Sequence, residues 1–181
     1  MTRYTVLKRP DMDAEQGKLY DDIEREGGRL GGPYTALIRI PKFMRLHQDM
    51  GTYVRQSNLS PRERQIAVLT TVRHWNGAYP WAAQVRASLE IGLEQSIIDA
   101  INKRETPAVA TERERMAHVV AKELPANKGL SDATYAAAEK AYGLVHLTDL
   151  IAAIGFFTML CCTANAFDIT PPDNYPGRLA P

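Results

Sequence analysis

The sequence predicts an all-α protein. Three observations lead there: capped runs of apolar residues recur at helical spacing, no alternating strand of useful length occurs, and His146 to Phe167 is apolar on nearly every side. With 181 residues, 45% of them hydrophobic and 24% charged, the chain can bury one substantial core, which favours one domain.

The elements follow in order. Asp13 to Glu26 is a polar amphipathic helix that stops at Gly27-Gly28, and Gly31-Gly32-Pro33 prolongs the break as a hinge. A short helix starts at Tyr34, and another runs from Pro41 to about Arg55. Ser60 is a good N-cap, Pro61 suits the first helical position, and Glu63 completes the capping-box spacing. Ile66, Leu69 and Val72 continue that helix to Asn76-Gly77, where a left-handed residue is cheapest. A second helix begins at once, with Pro80 in its first turn and Gly92 as its C-cap. Trp81, Gln84 and Ser88 share one of its sides; Ala82, Val85 and Leu89 share another. Thr111 and Glu114 repeat the capping spacing before a helix to Leu124, and Pro125 to Gly129 predicts a break. Ser131 caps a helix through Tyr142, His146 to Phe167 forms the last, and Pro171-Pro172 opens an irregular tail. The expected organisation is an N-terminal helix and hinge over 1–33, a helical domain over 34–170 and a tail over 171–181.

Composition narrows the function classes. Lys and Arg number 22 against 21 Asp and Glu, so the +1 balance gives no overall electrostatic case for nucleic acid or an anionic membrane. The one basic run, Arg62 to Arg64, is interrupted by Glu63 and reads as a solvated helix face. The start MTRYTVLKRP has no apolar signal region, and the expected location is cytoplasmic. Cys161 and Cys162 are adjacent in an apolar helix, which suits buried thiols in a reducing compartment. The most apolar stretch, Leu150 to Cys162, is about 13 residues against the roughly 20 of a membrane span, and Asp149 and Asn165 bound it. A central buried helix is therefore expected, covered by the other helices or by a second subunit, and the chain is expected to self-associate.

The segments RHWNGAYPWAAQVRASLEIGL, SDATYAAAEKAYG and FFTMLCCTANAF resemble the carboxymuconolactone decarboxylase-like proteins, a group that includes alkylhydroperoxidase D. The resemblance spans Tyr34 to Pro171. It implies a helical bundle with a central helical hairpin, assembled as trimers or hexamers. In the peroxidase branch the second hairpin helix opens with Cys-x-x-Cys followed by His, and a Glu on the preceding helix relays protons. Those positions here are Gly77, Pro80, Gln84 and Gln65. A thiol redox cycle needs a thiolate and a resolving thiol, so the resemblance does not carry peroxidase activity over. In the decarboxylase branch the pattern is Tyr-Glu-Trp with a later His, and this chain has Tyr79-Pro80-Trp81 and Gln84.

Two readings of the hairpin stay open. In the first, a cofactor-free lyase acts on an aromatic-derived or lactone acid. His74 and Tyr79 would be its acid and base, with Gln65, Trp81 and Gln84 around the substrate. Arg39, where the family often reads His-Ser-Pro, would hold a substrate carboxylate, and Asn165 would reach the pocket. In the second, catalysis is gone and a ligand-binding or structural oligomer remains. His74 then sits at a helix C-terminal dipole, Tyr79 and Trp81 pack, Arg39 is a surface charge, and Asn165 satisfies backbone groups. Gln65 and Gln84 bridge the hairpin to each other. His47 and His118 have no ligand-like partners, and neither metal spacing nor a phosphate loop occurs, so no metal or cofactor is expected.

Overall fold

Eight α-helices and one 3-10 turn, Arg9–Asp11, build the chain in the computed structural model, which describes residues 2–181. They are α1 (Ala14–Arg25), α2 (Tyr34–Leu37), α3 (Pro41–Gln56), α4 (Pro61–His74), α5 (Ala78–Glu90), α6 (Gln95–Asn102), α7 (Glu112–Asn127) and α8 (Asp132–Ala166). No strand occurs among the described residues.

Capping chemistry sets the hairpin as its residues dictate. Ser60 accepts from the Glu63 amide while the Glu63 carboxylate accepts from the Ser60 amide, so both free donors at the start of α4 are satisfied. At its end Asn76 takes the left-handed conformation (φ 49°), which leaves Gly77 free to act as the extended N-cap of α5. Gly92 closes α5 at φ 77°, and the Leu93 amide donates back to the Ser88 carbonyl at 2.9 Å.

Three expectations needed correction. Helix α6 was not foreseen, although Ile97, Ile98 and Ile101 supply one buried face; its N-cap Glu94 makes no side-chain cap, so the usual start signal is missing. Pro125 does not end α7, which continues to Asn127 and stops at left-handed Lys128 (φ 62°). A proline in the last turn forfeits one backbone hydrogen bond and leaves the helix little length to kink. Finally, α8 is not the enclosed centre of the bundle. That place belongs to α4, which is buried from Gln65 to Arg73 and packs against α5, α6, α7 and α8. Gly143 (φ 67°, ψ 164°) divides α8 into arms 132–142 and 144–166, and Leu144, Val145 and Ile151 face outward. By length and composition alone α8 could cross a membrane, and half of its most apolar stretch is buried in the bundle.

The segments that flank the helices are tied down. Arg3 bonds through its amide to the Phe167 carbonyl and pairs with Asp168, while Tyr4 packs edge-on against Phe167 at 5.2 Å. At the other end Arg73 donates to the Ala180 carbonyl, and Asn102 holds Arg178 and Ala180.

Candidate functional site

A cavity of about 480 Å³ lies between the hairpin, α3, α8, the 28–33 loop and the C-terminal tail. That is the size of a small-molecule site. Its inner wall is apolar, with Phe156, Phe157 and Leu160 from α8 and Val54 from α3. Polar groups come from the hairpin, the loop, the end of α3 and the tail.

Gln65 and Gln84 meet there. Gln65 is buried in α4, and its Nε2 donates to Ser88 Oγ at 3.1 Å, to Gln84 Oε1 at 3.3 Å and to the Gln84 carbonyl at 3.4 Å. One amide thus ties the two hairpin helices together, and both glutamines still line the cavity. Amides bind and orient; they do not titrate near neutrality.

Tyr79 lines the same cavity. Burial, with the Tyr175 phenol beside it, pushes its hydroxyl up to about 12, so it stays protonated at neutral pH. Its ring lies against Gly32, whose φ of 63° and lack of a Cβ both suit the contact: any side chain there would run into the ring. The glycine-rich segment is thus part of the site wall as well as a break in the chain. Tyr175 from the tail packs on Tyr79 at 6.0 Å and under Arg86 at 5.9 Å.

Arg29, Arg55 and Arg64 also line the cavity, and the residue pattern did not single them out. None of the three makes an ion pair among the described residues. Arg55 donates to Thr52 Oγ1 at 2.9 Å, and Arg64 donates to the Arg55 carbonyl at 3.1 Å. Burial and the neighbouring Arg29 charge lower the Arg55 guanidinium from its ordinary value, and burial and the Arg55 charge do the same to Arg64. The one carboxylate of the lining, Glu90, is paired with Arg86 at 2.9 Å.

No family model matches the sequence, and no curated protein matches it. Solved structures do. An uncharacterized peroxidase-related protein from Silicibacter sp. superposes with a TM-score of 0.76 at 18% identity, covering 98% of this chain and 97% of that one. A second, described as an alkylhydroperoxidase AhpD core and peroxidase-related protein from Ralstonia eutropha, gives 0.71 at 18% identity over 95% and 93%. A protein of unknown function from Agrobacterium tumefaciens gives 0.67 at 22% identity over 78% and 99%. The fold is alkylhydroperoxidase D-like.

Within this alkylhydroperoxidase D-like frame the residues singled out from sequence separate into two groups. Gln65, Tyr79 and Gln84 come together in the cavity. His74, Arg39, Trp81 and Asn165 are not among its lining residues. His74 follows Gln65 by nine positions, about two and a half turns of α4, and so faces the other way. It borders a small hollow of about 60 Å³ with Thr70, Arg104 and His118, where burial and the Arg104 charge lower its pKa. Arg39 reaches outward, donating to the Thr35 and Thr5 carbonyls at 3.2 and 2.6 Å and covering the Tyr4 ring. It ties the N-terminal segment to α2. Trp81 is 1% exposed and points into the core, its indole N–H without a partner. Asn165 donates to the Trp75 carbonyl at 2.7 Å, satisfying the end of α4.

The two cysteines also part company. Cys161 is fully buried and its thiol is pushed up to about 12 by burial, with Cys162 adding to the shift; Cys162 is exposed on the far side of the helix. The Cys161 sulfur occupies the space beside Gly77, where an added Cβ would stand only 2.8 Å away. Glycine at the first redox position therefore goes with a filled core at that spot.

Proposed function

We propose that this protein is a small-molecule-binding variant of the alkylhydroperoxidase D-like fold, in which the hairpin keeps its pocket and runs no thiol redox cycle. The observation that carries this reading is the Gln65–Gln84–Ser88 hydrogen-bond chain, standing where the resemblance puts a Glu and a His. Among the described residues, no cysteine or histidine lines the cavity. The test is a thermal-shift screen of small organic molecules together with an organic hydroperoxide assay. A stabilising compound without product, and no peroxide reduction, is expected. Reduction that disappears in Cys161→Ser or Cys162→Ser would sink the reading.

A lyase reading is favoured by one further observation, the protonated Tyr79 hydroxyl in the same cavity lining as the arginines and the two glutamines. As a carboxylate left a lactone or aromatic-derived acid as CO₂, the electron pair would pass to the adjacent carbonyl oxygen. Arginine and glutamine N–H groups would stabilise that oxygen, and Tyr79 would deliver the proton to carbon before recovering one from water. CO₂ release lost in Tyr79→Phe and kept in His74→Ala supports it; the reverse pattern moves the chemistry to the His74 hollow.

Self-association belongs to the same proposal. Phe43, Leu46, Met50 and Tyr53 share the outer face of α3, and Leu144, Val145 and Ile151 lie exposed on neighbouring α8. An apolar surface of this extent suits a subunit interface. Light scattering should report a trimer or hexamer that Leu46→Glu dissociates; a monomeric parent protein would remove the idea.

A further inference from the structure

We propose that the hairpin cavity is built for a small organic dianion, held by Arg29, Arg55 and Arg64 with its apolar body against Phe156, Phe157 and Leu160. The inference rests on the cavity being a ligand site and names what the ligand must carry.

The argument begins from charge balance. Arginine cannot shed its proton at neutral pH, so the three of the four lining guanidinium groups that lack a carboxylate partner stay cationic and repel one another, with Arg29 and Arg55 at the solvent-open side and Arg64 half-buried. Folded proteins usually answer such charges with carboxylates, and this chain does so elsewhere: Arg62 pairs with Glu94 and Glu114, Arg113 with Glu63, Arg45 with Glu26. At the cavity it does not. Glu90, the one acid of the lining, is already engaged by Arg86. Arg64 and Arg55 are further fixed in place, the former through the Arg55 carbonyl and the latter through Thr52, so part of their side-chain entropy is spent before any ligand arrives. A single carboxylate would leave most of this charge unanswered. Two acid groups, or one phosphate monoester, would answer it through bidentate guanidinium contacts. The aromatic end wall and the volume of about 480 Å³ set the remainder as a compact apolar body, one ring in size.

Titration calorimetry with four probes of similar size tests this: phthalate, phenyl phosphate, benzoate and benzamide, at about pH 8, where both dianions are fully charged. A dianion should bind at least about tenfold tighter than benzoate, with benzamide weakest and the dianion's affinity falling as salt rises. Phthalate ahead of phenyl phosphate identifies a dicarboxylate; the opposite order identifies a phosphate monoester. Arg55→Gln and Arg64→Gln should each weaken the dianion by about fivefold or more and leave benzamide unaltered, which also shows that the variants remain folded. Equal affinity for phthalate and benzamide, or dianion binding indifferent to both substitutions, overturns the charge inference and leaves the cavity reading standing. Binding of all probes that survives Ala87→Trp, which blocks the cavity, overturns the cavity reading itself. If no probe binds the native protein, both fall.

Discussion

Arg62 and Arg64 stand two residues apart on α4 and meet opposite surroundings. Arg62 turns toward α7, where its Nε pairs with the buried Glu114 at 2.7 Å and its Nη1 with Glu94 at 2.8 Å; neighbouring Glu63 is gripped by Arg113 at 2.7 Å. Arg64 turns toward the cavity and meets Arg55 instead of a carboxylate. Two positions on a helix differ by about 200°, so a single Arg-Glu-Arg run supplies one face that closes the bundle and one that leaves charge unspent. The contrast teaches that on α4 charge is paired on the face that packs against α7 and left without a carboxylate on the face toward the cavity.

Substitutions can break that comparison. On the paired side, Glu63→Ala removes a capping carboxylate and strands Arg113, and should lower unfolding free energy by about 2–4 kcal/mol in urea denaturation. A loss as small as that of a surface substitution would mean that the ion pairs are ornamental.

Two buried histidines sharpen the comparison, one on each side. His118 on α7 meets Thr70 through Nδ1 at 3.0 Å, and His47 on α3 sits among Tyr34, Phe43 and Phe156 with both ring nitrogens unpartnered. Burial pushes both down to about 4, with Lys122 adding to the effect on His118. They remain neutral in the folded protein while the unfolded chain takes up protons near the ordinary 6.5. Stability should therefore be full above about pH 6.5, decline as pH falls toward 4, and level off below it. His47→Leu should remove its share, making the variant about 1–2 kcal/mol less acid-sensitive across that window, as read from denaturation midpoints at several pH values. An unchanged pH profile would show that His47 protonates freely in the folded state.

A smaller effect is expected where α5 starts against α8. Gly77→Ala drives a methyl group into Cys161 and should cost about 1 kcal/mol, most of it recovered when Cys161→Ala makes room. Strict additivity of the two substitutions would argue that the sulfur does not fill that space. The smallest change belongs to the unpaired side: Arg64→Gln should alter stability by less than about 0.5 kcal/mol, because no ion pair is lost and a like-charge neighbour is relieved. A large loss there would give Arg64 a structural part.

How much of this was legible in the sequence depended on whether the signal was local. Ser60, Pro61 and Glu63 announce the hairpin because a capping box is written within four residues, whereas Gln65 and Gln84 can be paired only through the resemblance, which puts both at the relay positions of the hairpin. Helix α6 is not legible there, since its start lacks a capping side chain. His74 is an ionisable residue close in sequence to Tyr79, yet the turn of α4 carries it away from the cavity.

By itself the sequence determined the all-α class, the hairpin and its caps, and the absence of a Cys-x-x-Cys, all of which rest on spacing along a single helix or across one turn. Only the tertiary structure decided which face of α4 each charge occupies, that the 28–33 loop and Tyr175 wall the cavity, and that Arg29, Arg55 and Arg64 gather there from three separate segments. The physical reason is that helix periodicity fixes angles about one axis, whereas a cavity is made where several axes meet, and their packing is set by the whole core.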